Sequence, residues 1–382
     1  MKKKVFTVIG VMTGTSMDGI DLSLIKTDGY AEFTPILNEY FEFDEKLRNK
    51  LINLRNKISN IQDLETNALE QNNLERDLTI FHNVAINKII SKFNDEIDLI
   101  GVHGQTIFHD PKNQISVQLG DARLLSQFTK KIVINNFREQ DLKNGGNGAP
   151  LTPIFHNLIG NQIAENFKIP FPLNIINIGG ITNVTKISEN HDPIGSNLQA
   201  CDIGPGNCLI DEWVRLNSNK KYDKNGDIAK SGKVNNLVLN QAIENFRIDY
   251  TEKSLDVKDF DISFVRGLSL EDGCATLTRF SAHLIAQGIE YVNKKSDLVS
   301  TNNFVCGGGR KNRFLISNII ECLKNNEIKI LNIDDFGFNG DFVESQCFGY
   351  LAVRNFLKLP SSFPQTTGCK YPTIGGTLTR NF

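Results

Sequence analysis

Short apolar runs that end in glycine-rich polar turns recur along this chain. Residues 5–13 are apolar and rich in β-branched side chains, a polar turn follows at 14–19, and residues 20–25 alternate apolar with polar positions. An apolar run, a tight turn and an alternating run predict a β-hairpin whose first strand is buried. The tip of such a hairpin exposes backbone amides and hydroxyl groups, which can cradle a phosphate.

The same plan occurs a second time. Residues 173–178 are apolar, a Gly/Thr/Asn turn follows, and a β-branched run returns through residue 185. The two segments share the pattern and not the letters. This indicates an internal duplication of the hairpin.

The rest of the pattern is that of an α/β protein. Apolar residues at spacings of three and four predict helices, which we place at 44–94, 269–294, 312–323 and 341–357. Further buried strands are expected at 98–103, 131–136 and 303–306, and residues 116–121 are expected to pair with 108–115. The glycine-rich run 144–150 is the expected connection between two lobes, and the tail from residue 359 is expected to pack back onto the first lobe.

Composition narrows the class of protein. The 382 residues suggest two large lobes or two to three domains, and 40% hydrophobic with 23% charged residues is ordinary for a globular protein with a large core. The formal net charge is −2, with acids and bases spread evenly apart from the short run Lys2–Lys3–Lys4. We therefore expect no nucleic-acid partner.

Membrane and metal classes are also disfavoured. No apolar run reaches 18 residues, and the N-terminal one lacks a cleavage pattern, so neither a membrane span nor a signal peptide is expected. The seven cysteines are odd in number and include no CxxC pair, and the six histidines include no HExxH. We expect reduced thiols, a cytoplasmic location and no zinc site.

Asp202 occupies a distinctive stretch. It follows an apolar run and precedes Gly204-Pro205-Gly206 and Asn207, from which a helix with Trp213 can begin. The turn allows close approach of a ligand, and helix amides favour an anion. The alternative is that Asp202 only caps a turn.

Four small-residue loops each follow an apolar strand, at 14–19, 104–106, 179–183 and 307–309. Carboxylates lie beside such loops or at a helix start at Asp18, Asp202 and Glu344. Phosphoryl transfer needs amide donors for phosphates, carboxylates for Mg²⁺ and a base for the nucleophile, and all three are present. The chain has neither a Walker motif nor a true GxGxxG, so the hairpins would have to do this work.

These motifs together resemble the anhydro-N-acetylmuramic acid kinases of the sugar kinase, heat-shock protein 70 and actin superfamily. The resemblance spans essentially the whole chain and rests on several stretches in order: Val8–Asp21, Val102–Thr106, Asn136–Asp141, Gly148–Leu151, Asn177–Ile181, Asp202–Asn207, Val305–Gly309, Gly340–Glu344 and Thr367–Gly368.

The resemblance implies an α/β, two-lobed actin-like ATPase fold (a duplicated ribonuclease H-like fold) with an interlobe cleft. We divide it into lobe I (1–135 with 360–382) and lobe II (136–359). It implies that ATP and water act on 1,6-anhydro-N-acetylmuramic acid to give N-acetylmuramic acid 6-phosphate and ADP in peptidoglycan recycling. It also implies a homodimer without a membrane partner.

The resemblance assigns roles to residues. Asp202 would be the catalytic base that activates water, and we expect the 204–207 amides to hold it ionised. ATP would be bound by Gly14, Thr15, Ser16, Met17, Asp18, Gly19, Ile20, Asp21, Gly179, Gly180, Asn183, Gly307, Gly308 and Asn312, with Mg²⁺ at Asp18 or Asp21. The sugar would be bound by His103, Gln105, Arg138, Asp141, Gly206, Asn207 and Glu344.

Simpler roles stay open for three of the sugar-side groups. His103 could be a satisfied strand-end residue, Arg138 and Asp141 a mutual salt bridge, and Glu344 a first-turn helix carboxylate. Another anhydrosugar such as levoglucosan, or a non-catalytic nucleotide-binding role, is the competing function.

Two departures from the family pattern bear on these alternatives. Residues 253–258 lack the usual Thr-Gly-Arg, which puts a role of that segment in substrate contact in doubt. Arg310-Lys311 replace a smaller residue and a histidine beside the triple glycine.

Overall fold

The computed structural model describes residues 3–14, 16–189, 198–246, 248, 255, 257–294 and 298–382. Its strands are β1 (Phe6–Thr13), β2 (Gly19–Thr27), β3 (Phe33–Glu42), β4 (Leu99–Val102), β5 (Gln105–Asp110), β6 (Ile115–Leu119), β7 (Ile132–Asn135), β8 (Leu173–Ile178), β9 (Ile181–Ile187), β10 (Gln199–Pro205), β11 (Asn302–Cys306), β12 (Lys329–Asn332) and β13 (Thr377–Thr379).

The α-helices are α1 (Glu45–Lys57), α2 (Ile61–Thr66), α3 (Ala68–Ile90), α4 (Ala122–Thr129), α5 (Glu139–Lys143), α6 (Pro153–Phe167), α7 (Cys208–Asn217), α8 (Asp227–Ser231), α9 (Asn236–Asn245), α10 (Leu270–Lys294), α11 (Arg313–Cys322), α12 (Val343–Phe356) and α13 (Pro364–Thr367). Single 3₁₀ turns lie at Lys224–Gly226, Val257–Asp259, Ser263–Val265, Gly308–Lys311 and Ile333–Phe336. Among the helices described, none combines the length and apolarity that a membrane span requires.

The contacts divide the described chain into two units. The first unit contains the residues up to Leu158 and from Phe342 to the C-terminus, and the second unit contains those between them. The boundaries between the lobes predicted from the sequence are 135/136 and 359/360. The run 144–150 therefore lies inside the first unit instead of joining two lobes, and α12 belongs to the first unit because it packs on β1, β2 and β4.

The first unit is built on the predicted hairpin. All eight residues of β1 are buried, and β1 pairs antiparallel with β2 from Phe6↔Thr27 to Thr13↔Ile20. The sheet continues as β3-β2-β1-β4-β7, with β3 antiparallel and β4 and β7 parallel to their neighbours. The tail adds β13 antiparallel to β7, as expected for a segment that packs back here.

The second unit repeats this plan. Its sheet has the order β10-β9-β8-β11-β12, in which β8, β9 and β10 are antiparallel and β11 and β12 continue in parallel. Counted along each unit, both sheets follow the order 3-2-1-4-5 with the same strand directions. The α/β fold class and the duplication are confirmed.

Glycines let α12 lie directly on the first sheet. Gly10 and Gly101 are register partners on β1 and β4. A Cβ on Gly10 would lie 1.9 Å from the carbonyl oxygen of Ser345, and one on Gly101 would lie 2.2 Å from that of Phe348. This close approach fixes the start of α12, and therefore Glu344, relative to the sheet.

The second sheet is covered on one face by α10. A Cβ on Gly288 would lie 2.3 Å from Cβ of Ile203, so this helix also packs at close range. Ile176, Val184 and Cys201 belong to the hydrophobic cluster on this face. Because side chains alternate along a strand, the neighbours of these residues in sequence lie on the other face.

Candidate active site

The first hairpin forms a tight turn after β1. The amide of Met17 donates to the carbonyl oxygen of Gly14 at 3.3 Å, and Met17 has a positive φ of 54° with a buried side chain. The hydroxyl of Ser16 donates to the carboxylate of Asp18. Ser16 is exposed and Asp18 half-buried, so the tip presents polar groups as predicted. Thr15 lies outside the described residues, and Ile20 belongs to the core.

Carboxylates gather beside this turn. Tyr40 on β3 has a raised pKa because of its partial burial and the negative charges of Asp18, Glu42 and Asp21. Asp21 is half-buried on β2, where it is the register partner of Tyr40. Mg²⁺ in phosphate sites is held by one or two carboxylates with phosphate oxygens and water. Asp18 and Asp21 fit that ligand set, although within the described residues no three His, Cys, Asp or Glu side chains group as metal ligands.

Gln105 connects the second loop to the hairpin. Its side chain is fully buried, and Nε2 donates to the carbonyl oxygens of Gly14 at 3.3 Å and Thr106 at 3.2 Å. Its Oε1 and the hydroxyl of Thr13 are buried and have no hydrogen-bond partner in the part of the chain described. Buried polar atoms are normally paired, so these two acceptors mark a position that suits a ligand donor.

His103 is held neutral by Arg138. The guanidinium donates from Nε at 3.1 Å and from Nη2 at 2.9 Å to Nε2 of His103, so Nδ1 carries the proton and donates to the carbonyl oxygen of Gly104 at 2.8 Å. Burial and the charge of Arg138 lower the pKa of His103 well below its usual value. His103 therefore acts as a fixed dipole, not as an acid.

Arg138 and Asp141 both hold Gly148. Arg138 Nη1 donates to the carbonyl oxygen of Gly148 at 2.7 Å, and the amide of Gly148 donates to Asp141 Oδ2 at 2.7 Å. The Asp141 carboxylate is fully buried and also accepts from the hydroxyls of Ser362 at 2.5 Å and Thr367 at 2.6 Å. Asp141 thus fastens a loop and the tail, and in this arrangement it has no exposed surface for the expected sugar contact.

Glu344 lies near this arginine. It is the second residue of α12 and is half-buried. Burial raises the pKa of Glu344, and the positive charge of Arg138 acts in the opposite direction. The structure therefore brings together three of the sugar-side residues predicted in the first unit, His103, Arg138 and Glu344.

Asp202 lies within β10, three residues before the strand ends at Pro205. Its side chain is 7% exposed, and Oδ2 accepts a hydrogen bond from the amide of Leu255 at 2.8 Å. A bulge between Asp202 and Gly204 interrupts the pairing with β9. Asp202 is thus a buried strand carboxylate, and the turn-cap alternative does not describe it.

The turn after β10 is hydrogen-bonded to the loop between β8 and β9. The amides of Gly206 and Asn207 donate to the carbonyl oxygens of Gly180 at 2.8 Å and Gly179 at 2.9 Å. A Cβ on Gly206 would lie 2.3 Å from the oxygen of Gly179. For Gly206 and Asn207 the expectation that their amides serve Asp202 is wrong, because these amides tie the two loops together. The sequence analysis does not identify the amide of Leu255 as a donor to Asp202. The only signal in the sequence is that residues 253–258 depart from the family pattern.

The triple glycine follows β11. The amide of Gly307 donates to the carbonyl oxygen of Gly340 at 2.9 Å, and Gly307 has a φ of 78°. Gly308 is exposed, with open space where a Cβ would be, which suits a nucleoside that packs against backbone. Asn312 is buried and caps α11 through Oδ1, which accepts from the amide of Leu315 at 2.9 Å. Its side-chain oxygen therefore has a structural partner.

Arg310 stabilises this loop through ion pairs and a hydrogen bond. The side chain is buried and forms ion pairs with Asp334 at 3.0 Å and Asp341 at 2.6 Å, while Nη1 also donates to the carbonyl oxygen of Gly307 at 3.0 Å. Burial alone would raise the pKa of Asp341, but the hydrogen bonds from Arg310 and Lys311 lower it below its usual value. In the sequence, Arg310 is identified only as a departure from the family pattern.

Comparison with known proteins shows to which family the chain belongs. The model of the family described as anhydro-N-acetylmuramic acid kinase matches residues 6–381. The chain belongs to the anhydro-N-acetylmuramic acid kinase family. It is 48% identical over 384 residues to the anhydro-N-acetylmuramic acid kinase of Pelagibacter ubique (strain HTCC1062), with 100% of both chains covered.

A second relative agrees with this family assignment. The anhydro-N-acetylmuramic acid kinase of Agrobacterium fabrum is 34% identical, with 99% of both chains covered. Among solved structures, the activator of the 2-hydroxyisocaproyl-CoA dehydratase from Clostridium difficile with bound ADPNP is similar at a TM-score of 0.40 and 11% identity, covering 92% of this chain and 96% of that one.

Proposed function

We propose that this chain is an ATP-dependent kinase of 1,6-anhydro-N-acetylmuramic acid in peptidoglycan recycling. It opens the anhydro ring with water, phosphorylates O6 and releases N-acetylmuramic acid 6-phosphate and ADP. The observation that carries the proposal is the buried Asp202 carboxylate held by a backbone amide, in a chain that matches this kinase family over residues 6–381.

Asp202 acts as the base. It takes one proton from a water molecule as the water oxygen bonds to the anomeric carbon and the bond from that carbon to O6 breaks. O6 then gains negative charge and attacks the γ-phosphorus of ATP, and the bond to the β-phosphate oxygen breaks to release ADP. This joins the water activation of an inverting glycosidase to in-line phosphoryl transfer.

The glycine loops bind the nucleotide. Residues 14–19 and the pair Gly179 and Gly180 provide polar backbone for the phosphates, and Gly307 and Gly308 provide open backbone for adenosine. Asp18 and Asp21 would hold Mg²⁺, directly or through water, and the ion would offset the negative charge of the phosphates. Ser16 orients Asp18 by its hydrogen bond.

Sugar binding would use polar side chains of the first unit. His103, Arg138 and Glu344 offer a fixed dipole, a cation and a carboxylate, and Gln105 adds Oε1, a buried acceptor with no partner among the described residues. Gly206 and Asn207 remain expected sugar contacts. The lactyl carboxylate of the muramic compound gives Arg138 a charge to bind that levoglucosan lacks.

Product analysis tests the proposal. Purified protein with ATP and Mg²⁺ is expected to convert 1,6-anhydro-N-acetylmuramic acid and to leave levoglucosan almost unchanged. In ¹⁸O-labelled water the label should enter at carbon 1 of the product and not the phosphate. Label in the phosphate would show that water attacks phosphorus, and turnover of levoglucosan alone would favour the competing sugar.

Location and assembly complete the proposal. We place the enzyme in the cytoplasm, because the described chain, which includes all seven cysteines, contains no disulfide bond. The family resemblance supports a homodimer. Light scattering on the purified protein should give twice the chain mass of 42.8 kDa, and a monomer mass would refute the dimer.

A further inference from the structure

A row of polar side chains crosses the second sheet at Asp202. Asn183 on β9 is the register partner of Asp202 on β10 and also of Asn177 on β8. Asn177 is in turn the partner of Cys306 on β11, whose thiol donates to Asn177 Oδ1 at 3.8 Å. Directly opposed residues share a face and lie about 4.5–5.5 Å apart. Asn183 is therefore the residue beside Asp202 in this row.

The row lies on the sheet face that α10 does not cover. Ile176, Val184 and Cys201 belong to the cluster under that helix, and each precedes or follows a member of the row in sequence. Alternation along a strand directs Asn177, Asn183 and Asp202 the other way. Asn183 is half-buried, and its Oδ1 is a buried acceptor without a hydrogen-bond partner in the described part of the chain.

We propose that Asn183 is a further catalytic residue whose side-chain oxygen accepts the second hydrogen of the water that Asp202 deprotonates. The inference rests on the proposed function. A water molecule with one hydrogen bonded to each acceptor has its lone pair fixed toward the anomeric carbon. As the water oxygen bonds to that carbon, the first proton passes to Asp202 and the second stays on the new hydroxyl group, bonded to Asn183. In this role Asn183 contacts the attacking water and not the ATP phosphates that the family resemblance assigns to it.

Replacement of Asn183 tests this role. Asn183→Leu keeps the branched outline of the side chain and removes the acceptor, so the sugar-dependent kcat should fall about 10²-fold, as for loss of one positioned polar group. The Kd of a non-hydrolysable ATP analogue should stay within about threefold, because the water is not part of the nucleotide site. Asn183→Gln keeps an uncharged amide acceptor and should recover at least about tenfold over the Leu variant.

A control on the same strand separates the role from packing. Thr185 lies two residues further along β9 on the same face and is fully buried. Thr185→Val removes a polar group there and should leave kcat unchanged. If Asn183→Leu does not fold, as judged by circular dichroism, Asn183→Ala takes its place with the same expected loss.

The outcomes are distinct. An Asn183→Leu variant with unchanged kcat, or with nucleotide affinity lost in proportion to kcat, overturns the inference and leaves the proposed function standing. Equal losses in Asn183→Leu and Asn183→Gln also overturn it. No turnover of the anhydromuramic compound by the unaltered protein overturns the proposed function, and this inference with it.

Discussion

Asp202 is buried on a strand and supplied with a hydrogen-bond donor from a residue 53 positions away in the chain. A charged group is rarely buried without such partners, because desolvation is costly. The burial therefore indicates that the carboxylate has a task. In the proposed reaction that task is proton removal from water.

Asp202→Asn should show whether this is so. The amide side chain keeps the shape but cannot accept the proton, so kcat should fall about 10²–10⁴-fold with ATP affinity nearly unchanged. Steady-state kinetics and calorimetric titration with an ATP analogue measure the two quantities. Asp261→Asn, the same change at an exposed position in the same unit, is the control. Near-normal turnover in the Asp202 variant would refute the base assignment.

The role of the Leu255 amide can be tested by removing that one N–H group. Leu255→Pro removes the N–H that donates to Asp202, whereas Leu255→Ala keeps it and removes only the side chain. A hydrogen bond to a charged group contributes about 1.5–3 kcal/mol, so kcat of the proline variant should be about 10- to 100-fold below that of the alanine variant. Equal rates for the two variants would mean that the amide does not support the base.

At the level of elements, the strand–turn–strand patterns were sufficient to predict both hairpins, because burial and turn chemistry are local. The shared sheet order was not predicted, because it depends on pairing between strands that are far apart in the sequence. The place of α12 could not be predicted, since it depends on contacts of Gly10 and Gly101 with a helix more than 240 residues later in the chain. The partner of Asp202 and the fastening of Gly206 to Gly179 were missed for the same reason.

Arg310 is the buried side chain that holds the loop after β11. Arg310→Met removes the donor to Gly307 and leaves Asp334 and Asp341 without their buried partner. The KM for ATP should rise about 5- to 10-fold with kcat within about twofold, because loss of a uniform binding contact raises KM and not the barrier. Arg313→Met, at an exposed position three residues on, is the matched control. An unchanged KM in the Arg310 variant would show that the loop holds its shape without the guanidinium.

At the scale of the whole molecule, each unit has its own sheet and its own hydrophobic clusters. Stability then depends on buried groups within each unit. His82 on α3 is such a group. It is fully buried, and neither ring nitrogen has a hydrogen-bond partner in the described chain.

His82 should make the first unit sensitive to acid. Burial lowers the pKa of His82 from 6.5 to about 4, so the unfolded chain binds the proton more tightly than the folded one. Stability is unaffected above pH 6.5 and is lost as the pH falls toward 4, by about 2 kcal/mol at pH 5. His156, buried with a pKa of about 3, acts in the same direction.

Urea unfolding at pH 7.5 and pH 5 measures the effect. His82→Leu removes the titrating group, so its free energy of unfolding should decline less between the two pH values than that of the unaltered protein. Comparison of the two declines cancels the other titrating groups. Equal declines would show that His82 carries no share of the acid sensitivity.

The backbone origin of the donor to Asp202 has an evolutionary consequence. Every amino acid except proline carries the N–H that Leu255 uses, so codons in segment 253–258 can change without loss of that bond. The missing Thr-Gly-Arg is then compatible with a working base. Natural selection on this position would act mainly against mutation to proline, and a lineage can explore new side chains there while the base keeps this bond.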